Sequence, residues 1–342
     1  MEFLIGSKQE FLEFINHISD TDRVAVLTHG SDLDGLASSI FLEEIFKEKK
    51  IQDYKIWFVS YNPEELVEII PQLKEQKFSK VILMDLAFDN FVGFDKLRKE
   101  FDVLLVDHHP IQKELKGKGI IKTSSSDCVA WVIYNFGKEI INQEKWKWLV
   151  QAALFTEFSY GNQEKMDFLK KDFSGLTKEN ILNSELGKLG SAIAYSIVFY
   201  KNNIEKVYDL IKNKNFKDIQ KSFQVISDEL ERLEKDFKEN SEFFSKQKIY
   251  FYEFISKFEL ASLFSTTISV KEPDSCFIIY QLRDNHFKIS SRCQSGRVNL
   301  DELMKKGIQN LDGASAGGHF KASGAVIKIK DLKAFKNNIL KA

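Results

Sequence analysis

Four short apolar runs separated by helical patterns dominate the first part of this 342-residue chain. The runs are RVAVLTH (23–29), YKIWFVSYN (54–62), KVILMDLAF (80–88) and DVLLVDHHP (102–110). The segments between them, such as 33–50 and 90–101, carry apolar residues at helical spacing. Strands that alternate with helices favour right-handed βαβ units. We therefore predict an α/β fold, in which a parallel sheet has helices on both of its faces.

The length and the later sequence indicate two domains. Single hydrophobic cores stop growing near ~250–300 residues, so a chain of this length usually divides. Residues 128–245 are mostly helical in pattern, and the highly charged segment 227–247 is typical of a solvated connecting helix. Strand patterns then resume at KIYFYEF (248–254). We predict an N-terminal α/β domain over 1–200, a helical connector over 201–245, and a smaller α/β domain over 246–342.

Charge and cysteine usage exclude several classes of protein. The formal net charge is −1, so the chain is not a general polyanion-coating protein, and any nucleic-acid contact must come from a local basic cleft. Cys128, Cys276 and Cys293 form no C-x-x-C pair and are interpreted as buried thiols in a reducing compartment. The sequence has neither a signal-peptide pattern nor the ~20 apolar residues of a membrane span. We expect a cytoplasmic protein without a membrane partner.

Acidic and histidine side chains follow three of the four predicted strands. They are His29, Asp32 and Asp34 where the first strand ends and the helix begins, Asp85 at the end of the third strand, and Asp107, His108 and His109 at the end of the fourth. Ligands of open parallel sheets bind beyond the carboxyl ends of the strands, so these side chains are expected to converge. Crowded carboxylates repel one another, and divalent cations remove that repulsion. Oxygen and imidazole ligands without thiolate favour Mn²⁺ or Mg²⁺, and we predict two ions that share one carboxylate.

Simpler interpretations exist for each cluster taken alone. The H-x-x-D-x-D pattern also fits a helix N-cap with solvated acids, and Asp85 alone fits a strand-end cap. The adjacent Asp-His-His after four apolar residues is harder to explain in this way. Three clusters in register at strand ends favour a functional site. The serines at 124–126, by contrast, are interpreted as caps of the helix that follows them.

A glycine-rich segment near the C-terminus predicts a second functional element. Consecutive glycines at Gly317 and Gly318 allow backbone N–H groups to approach a phosphate closely. His319 and Arg292 add donors for charge-assisted hydrogen bonds. The alternative is a simple turn beside a capped core histidine. The N-terminal clusters favour the phosphate-binding interpretation.

These segments resemble a known family. LTHGSDLDGLAS, ILMDLA and LLVDHHP resemble the first three motifs of the DHH phosphoesterases, which include RecJ exonucleases, nanoRNases, cyclic-dinucleotide phosphodiesterases and manganese-dependent inorganic pyrophosphatases. GGHFKASGA (317–325) resembles the glycine–histidine loop of the DHH-associated domain. Arg292 stands where that domain commonly places a phosphate-binding arginine. The resemblance covers nearly the whole chain.

The resemblance implies two metal positions with one shared ligand: His29 and Asp32 on the first, Asp34 and His108 on the second, and Asp85 on both. It also implies that the N-terminal domain is catalytic and that the C-terminal domain binds the substrate phosphate through Arg292, Gly317, Gly318 and His319.

The resemblance further implies roles for Asp107, which would orient a ligand, and for His109, which would contact the phosphate or the leaving group. Two positions depart from the family pattern. His29 stands three residues before Asp32, a spacing that is intermediate between family branches. The aspartate of the fourth motif is missing, and the only carboxylate in the corresponding stretch AALFTEFSYGN is Glu157. We predict that Glu157 replaces it on the second metal. Alternatively, Glu157 is a helix-end surface residue, and water, Ser159 or Asp167 completes the metal shell.

Among the family branches, the sequence favours enzymes that act on short nucleic acids. It has no membrane or sensor segment, its small C-terminal domain differs from that of the pyrophosphatases, and it is shorter than bacterial RecJ. We expect a Mn²⁺-dependent phosphodiesterase or exonuclease that hydrolyses short single-stranded RNA or DNA to mononucleotides. A dinucleotide or 3′-phosphoadenosine 5′-phosphate hydrolase is one alternative, and a non-catalytic scaffold in a replication or repair assembly is another. RNA or DNA preference, direction of digestion and oligomeric state, including a dimer, stay open.

Overall fold

The structure is a computed structural model that describes residues 1–59, 63–87, 92–111 and 117–342, without the side chains of 63–65 and 92. The last residues of the second and third predicted strands (60–62 and 88) and the first two residues of the predicted helix 90–101 lie outside the described residues. The chain forms two compact units, Met1–Phe223 and Gln224–Ala342. The division between them falls within the predicted connector 201–245.

The first unit is built on a six-stranded sheet. Its strands in chain order are β1 (Phe3–Ile5), β2 (Val24–His29), β3 (Tyr54–Val59), β4 (Lys80–Met84), β5 (Asp102–Asp107) and β6 (Ile120–Thr123). They are arranged β1-β6-β5-β4-β2-β3, and all neighbours are parallel except β1 and β6. The predicted α/β fold and its four parallel strands are confirmed, and the sequence patterns missed β1 and β6.

Helices cover both faces of this sheet. They are α1 (Lys8–Asn16), α2 (Leu33–Glu48), α3 (Pro63–Glu75), α4 (Val92–Glu100), α5 (Val129–Phe136), α6 (Gln143–Thr156), α7 (Gln163–Lys170), α8 (Glu185–Phe199) and α9 (Ile204–Lys212). Successive strand residues point to opposite faces, so β2 gives Val24 and Val26 to one core and Ala25 and Leu27 to the other. The first core contains α1, α2 and α5 to α9, and the second contains α3 and α4.

Helix α10 (Phe216–Asn240) begins in the first unit and continues in the second. The helix predicted over 227–247 is present as far as Asn240, whereas Glu242–Phe244 form a strand. Leu230, Leu233 and Phe237 form a buried stripe, and the ring of Phe237 lies 5.3 Å from that of Tyr252 within the second unit. Most of the charged residues between them are exposed, so the helix is solvated on one face and packed on the other.

The second unit has a mixed sheet with strands β7 (Glu242–Phe244), β8 (Ile249–Phe254), β9 (Cys276–Arg283), β10 (His286–Arg292), β11 (Ser315–His319) and β12 (Ala322–Lys328). Their order is β11-β12-β10-β9-β8-β7, and only β8 and β9 are parallel neighbours. Its other helices are α11 (Ala261–Lys271), α12 (Leu300–Gly307) and α13 (Leu332–Lys341). Gly317 and Gly318, expected in a loop, lie in β11 because their backbones pair with β12. Within the described ranges, no helix is both long enough and apolar enough to cross a membrane.

Candidate metal centre and phosphate-binding strands

The order of the strands creates a crevice at one edge of the first sheet. Strand β2 lies between β3 and β4, so the chain leaves β2 toward one side and later returns to the other. In open α/β sheets, such a reversal of strand order opens a crevice at the carboxyl ends, where ligands bind. His29 ends β2, Asp85 follows β4, and Asp107 ends the neighbouring β5. The topology thus gathers the three predicted clusters at this edge.

The first cluster surrounds the imidazole of His29. Nε2 of His29 lies 2.7 Å from Oδ2 of Asp85 and 3.5 Å from Oδ2 of Asp32. On the other side of the ring, Nδ1 lies 2.7 Å from the hydroxyl of Ser31. Asp32 is also the N-cap of α2, since its Oδ1 accepts hydrogen bonds from the N–H groups of Asp34 and Gly35. The N-cap interpretation and the metal-ligand interpretation therefore use different oxygens of one carboxylate.

Asp85 lies at the centre of the cluster. Its side chain is 1% exposed, and its backbone adopts a left-handed φ of 56°, a region that aspartate and asparagine enter more readily than most residues other than glycine. Oδ2 pairs with His29, while Oδ1 lies 3.4 Å from Nε2 of His108. Among the described residues, Oδ1 has no hydrogen-bond donor. A buried carboxylate oxygen without a donor is costly unless a cation occupies the space next to it.

Asp34 is held by the start of another helix. Its two carboxylate oxygens accept hydrogen bonds from the N–H groups of Val129 at 2.7 Å and Ala130 at 2.6 Å. These are the first residues of α5, whose N-cap residue Cys128 makes no capping bond with its side chain. The prediction that serines 124–126 cap this helix is therefore wrong. The carboxylate from α2 satisfies the free amides instead, and its negative charge suits the N-terminal end of a helix.

His108 and Glu157 complete a second group around Asp34. Nε2 of His108 lies 3.8 Å from Oδ2 of Asp34. Glu157 is the C-cap of α6, and one ligand atom each from Asp34, His108 and Glu157 lie within 4.8 Å of one another. Asp167, the alternative acid, instead accepts a hydrogen bond from Gln163 on an exposed part of α7. The structure therefore places Glu157 beside Asp34 and His108, the two side chains predicted for the second metal.

A Schellman motif follows Glu157. Helix α6 ends with the N–H of Phe158 donating to the carbonyl of Phe155 and the N–H of Ser159 donating to that of Leu154. In this motif the residue after the C-cap adopts the left-handed conformation and is usually glycine. Here that residue is Phe158, with a φ of 52°, and the conformation costs it about 1–2 kcal/mol. The same motif follows other helices at Lys50, Lys77 and Lys214.

Asp107 does not join the metal-type groups but links two other side chains. Its Oδ1 lies 2.7 Å from Nδ1 of His109, and its Oδ2 accepts a hydrogen bond from the ammonium of Lys122 at 2.5 Å. Asp107 and Lys122 are both fully buried and are direct neighbours in the register of β5 and β6. The sequence analysis missed Lys122 because it interrupts the apolar run of the short strand β6. The sequence feature that could have revealed it is a lysine within the short apolar segment that follows the Asp-His-His strand in the chain.

The acids and imidazoles of this cluster shift one another's pKa values. Burial disfavours the charged imidazolium, but the neighbouring carboxylates overcome it, raising the pKa of His29 to about 9 and that of His108 to about 10. Burial and the charge of Asp85 raise the pKa of Asp34 to about 7, and burial among the acids raises the pKa of Glu157 well above its usual range. Burial also opposes ionisation of Asp85, yet the two histidines hold its pKa well below its usual range. Protons thus supply the positive charge that balances these acids.

These residues fit divalent cations. Three groups have ligand atoms within 4.8 Å of one another: His29, Asp32 and Asp85; Asp34, His108 and Glu157; and Asp85, His108 and His109. Asp85 belongs to two of the groups, and His108 connects the group of Asp85 and His109 with that of Asp34 and Glu157. Since Lys122 neutralises Asp107, four carboxylates remain, and two divalent cations would match their charge. The donor set of oxygen and imidazole without thiolate suits Mn²⁺ or Mg²⁺.

The predicted phosphate-binding residues form a row across the second sheet. Arg292 on β10 and His319 on β11 are both paired with Ala322 on β12, so their side chains lie on the same face. Adjacent strands are about 4.8 Å apart, which places the two backbones roughly 10 Å apart. Arg292 donates to the hydroxyl of Thr266 at 2.9 Å, and its Nε has no acceptor among the described residues. Burial lowers the pKa of this guanidinium, although it stays positively charged.

The two glycines beside His319 differ in their surroundings. A Cβ atom at Gly318 would lie 2.6 Å from the carbonyl oxygen of Ala322, so only glycine fits against β12 there. A Cβ atom at Gly317 would meet no atom within 4 Å. Open space therefore lies over the backbone at Gly317, on the strand that carries His319.

The fold and the site define an open α/β domain with a histidine and carboxylate cluster at its topological switch point. Residues 23–155 match the model of the DHH family, N-terminal domain. The matched segment contains every candidate ligand of the first unit except Glu157, which lies two residues beyond it. No curated protein matches the sequence.

Several solved structures share the fold. RecJ from Thermus thermophilus in complex with Mn²⁺ is 13% identical with a TM-score of 0.72, and the match covers 97% of this chain and 53% of that one. An exonuclease RecJ bound to manganese is 13% identical with a TM-score of 0.67, covering 97% of this chain and 92% of that one. CDC45 from Entamoeba histolytica is 11% identical with a TM-score of 0.65, covering 98% of both chains. The chain thus spans about half of the Thermus protein, and these low identities show a shared fold.

Proposed function

We propose that this protein is a Mn²⁺-dependent phosphodiesterase that hydrolyses short single-stranded RNA or DNA to mononucleotides. One observation carries the proposal: His29, Asp32 and Asp85 form one ligand group, Asp34, His108 and Glu157 form another, and Asp85 Oδ1 faces His108. The likeness of the fold to two manganese-bound RecJ structures supports the choice of metal and substrate.

The proposed roles of the ligands follow from these groups. His29 and Asp32 would hold one ion, Asp34, His108 and Glu157 would hold the other, and Asp85 would contact both. Such a pair of ions supplies Lewis acidity, neutralising phosphate oxygens and making water a better nucleophile near neutral pH. Two of the ligands are already oriented by their own partners, since Ser31 contacts His29 and the amides of α5 hold Asp34.

Although His109 lies in a group with Asp85 and His108, we assign it and Asp107 to the substrate, because Asp107 already occupies Nδ1 of His109. Asp107 fixes the ring of His109 through Nδ1, so that Nε2 would be the atom that meets a phosphate oxygen or a leaving group. Lys122 balances the charge of Asp107 from the other side. This arrangement suits a histidine that donates a hydrogen bond or a proton to the departing oxygen.

The second unit would bind a phosphate of the substrate. Arg292 and His319 share one sheet face, and the open space over Gly317 leaves room for a phosphate beside the backbone. In this proposal the first unit, predicted as 1–200, performs the chemistry. The C-terminal domain predicted over 246–342 selects substrates that carry a further phosphate. The helical connector predicted over 201–245 joins the two domains.

The test is hydrolysis of end-labelled oligonucleotides of two to about twenty residues by purified protein in Mn²⁺, with products resolved over time. We expect mononucleotides, faster turnover of short than of long single strands, and complete loss of activity in excess chelator. Turnover confined to dinucleotides or to 3′-phosphoadenosine 5′-phosphate would redirect the proposal to those substrates. Calorimetry that detects no Mn²⁺ binding, together with no hydrolysis, would instead favour a scaffold with the DHH fold.

A further inference from the structure

The strained turn after Glu157 carries an aromatic ring that the fold alone does not explain. Phe158 occupies the left-handed position of the Schellman motif, where glycine is favoured because it has no Cβ. Its side chain is nonetheless 44% exposed, so packing recovers only part of the steric cost. The ring contacts Tyr160 at a centroid distance of 6.2 Å in a tilted arrangement. Three lysines adopt the same left-handed conformation after other helices, so the exposed aromatic ring, and not the backbone, distinguishes this turn.

The position of Phe158 in the chain relates its ring to the candidate metal centre. Phe158 directly follows Glu157, whose carboxylate belongs to the group with Asp34 and His108. The two Schellman bonds fix the backbone of the turn, so Phe158 is held one residue beyond a candidate ligand of the metal centre. An exposed aromatic face beside a phosphate-cleaving site is the feature with which proteins stack nucleobases.

We propose that Phe158 contacts the substrate by stacking on a nucleobase next to the cleaved phosphodiester. This inference rests on the proposed function and deepens it, because it limits the substrates to phosphodiesters that carry a base at that position. Stacking on an aromatic side chain tolerates every base, so the site would select a nucleotide without selecting its sequence.

The chain offers matched variants for a test. Phe158→Gly removes the ring and relieves the left-handed strain, so the protein should fold with a Tm within a few degrees of the original. Phe158→Tyr keeps an aromatic face. Phe216 is also 44% exposed in the first unit, where its ring packs 5.3 Å from that of Trp148, and Phe216→Ala is the control for loss of an exposed ring.

The experiment compares kcat/KM for one dinucleotide and for two abasic analogues, each lacking one of its two bases. With the full dinucleotide, Phe158→Gly should lose about 5- to 100-fold in kcat/KM, the range expected for one stacked base, while Phe158→Tyr and Phe216→Ala stay within about twofold. The loss should vanish with one analogue and persist with the other, which identifies the stacked base.

Two results would overturn the inference. One is that Phe158→Gly turns over all three substrates as well as the original protein does. The other is that it loses the same factor with both analogues, because the ring then only shapes the turn. If the original protein hydrolyses none of the three in Mn²⁺, the proposed function fails first and the inference fails with it. The wild-type rates therefore separate the two kinds of failure.

Discussion

The candidate sites of the two units balance charge in opposite ways. In the first unit, four carboxylates and three imidazoles meet at the end of a buried sheet, and protons or cations must compensate the acids. In the second unit, the row of Arg292, Ala322 and His319 contains cationic and neutral side chains and no carboxylate. The first arrangement attracts metal ions, whereas the second attracts anions such as phosphate. Changes in the two units should therefore alter different kinetic constants.

The largest effect is expected at Asp85, the ligand shared by two groups. Asparagine tolerates a left-handed backbone and has nearly the same size, so Asp85→Asn removes the charge while leaving the fold intact. We expect kcat to fall about 10³-fold or more, equivalent to roughly 4 kcal/mol, with weakened binding of both ions. Calorimetric Mn²⁺ titration and single-turnover rates measure these effects. A variant that still binds two ions with unchanged affinity would show that Asp85 does not bridge them.

A smaller effect is expected at Glu157, which contributes to one group only. Glu157→Gln preserves size and removes charge, and we expect a loss of about 10- to 100-fold in turnover with weakened binding of one ion. Asp167→Asn is the matched control, because Asp167 lies on the exposed side of α7, where its carboxylate accepts a hydrogen bond from Gln163. Equal rates and metal affinities for both variants would mean that the centre functions without Glu157.

The smallest effect, and one of a different kind, is expected in the second unit. Arg292→Ala or His319→Ala should raise KM about tenfold with little change in kcat, because a phosphate held away from the reaction contributes equally to ground and transition states. Mn²⁺ binding should be unchanged. Lys288→Ala is the control, since Lys288 lies on β10, on the same face as Arg292, and pairs with Glu259. A loss of metal binding in His319→Ala would contradict the assignment of metal binding to the first unit and phosphate binding to the second.

The sequence predicted the central part of the first sheet well because strong local signals specified it. Buried runs such as RVAVLTH and DVLLVDHHP are long and apolar, and each ends in polar residues at the same edge. Strands β1 and β6 escaped notice because one has only three residues and the other contains the buried Lys122. A lysine is expected at the surface until the sheet register places its partner Asp107 beside it.

The sequence was sufficient to identify the candidate ligands, but it did not reveal the neighbouring groups that hydrogen-bond to them. His29, Asp85 and His108 follow strand ends and needed only the rule that ligands bind there. The amides of Val129 and Ala130 meet Asp34 across more than ninety residues of sequence, and backbone N–H groups leave no trace in residue types. For the same reason the left-handed turns at Asp85 and Phe158 became visible only in the structure.

The bonds from Asp34 to the start of α5 have a practical consequence for spectroscopy. The amide protons of Val129 and Ala130 point directly at a carboxylate that protons and divalent cations would compete for. Their NMR chemical shifts should therefore move whenever the charge on Asp34 changes. These two backbone resonances would then report whether protons or metal ions occupy the centre. The measurement requires no substrate, no mutation and no turnover.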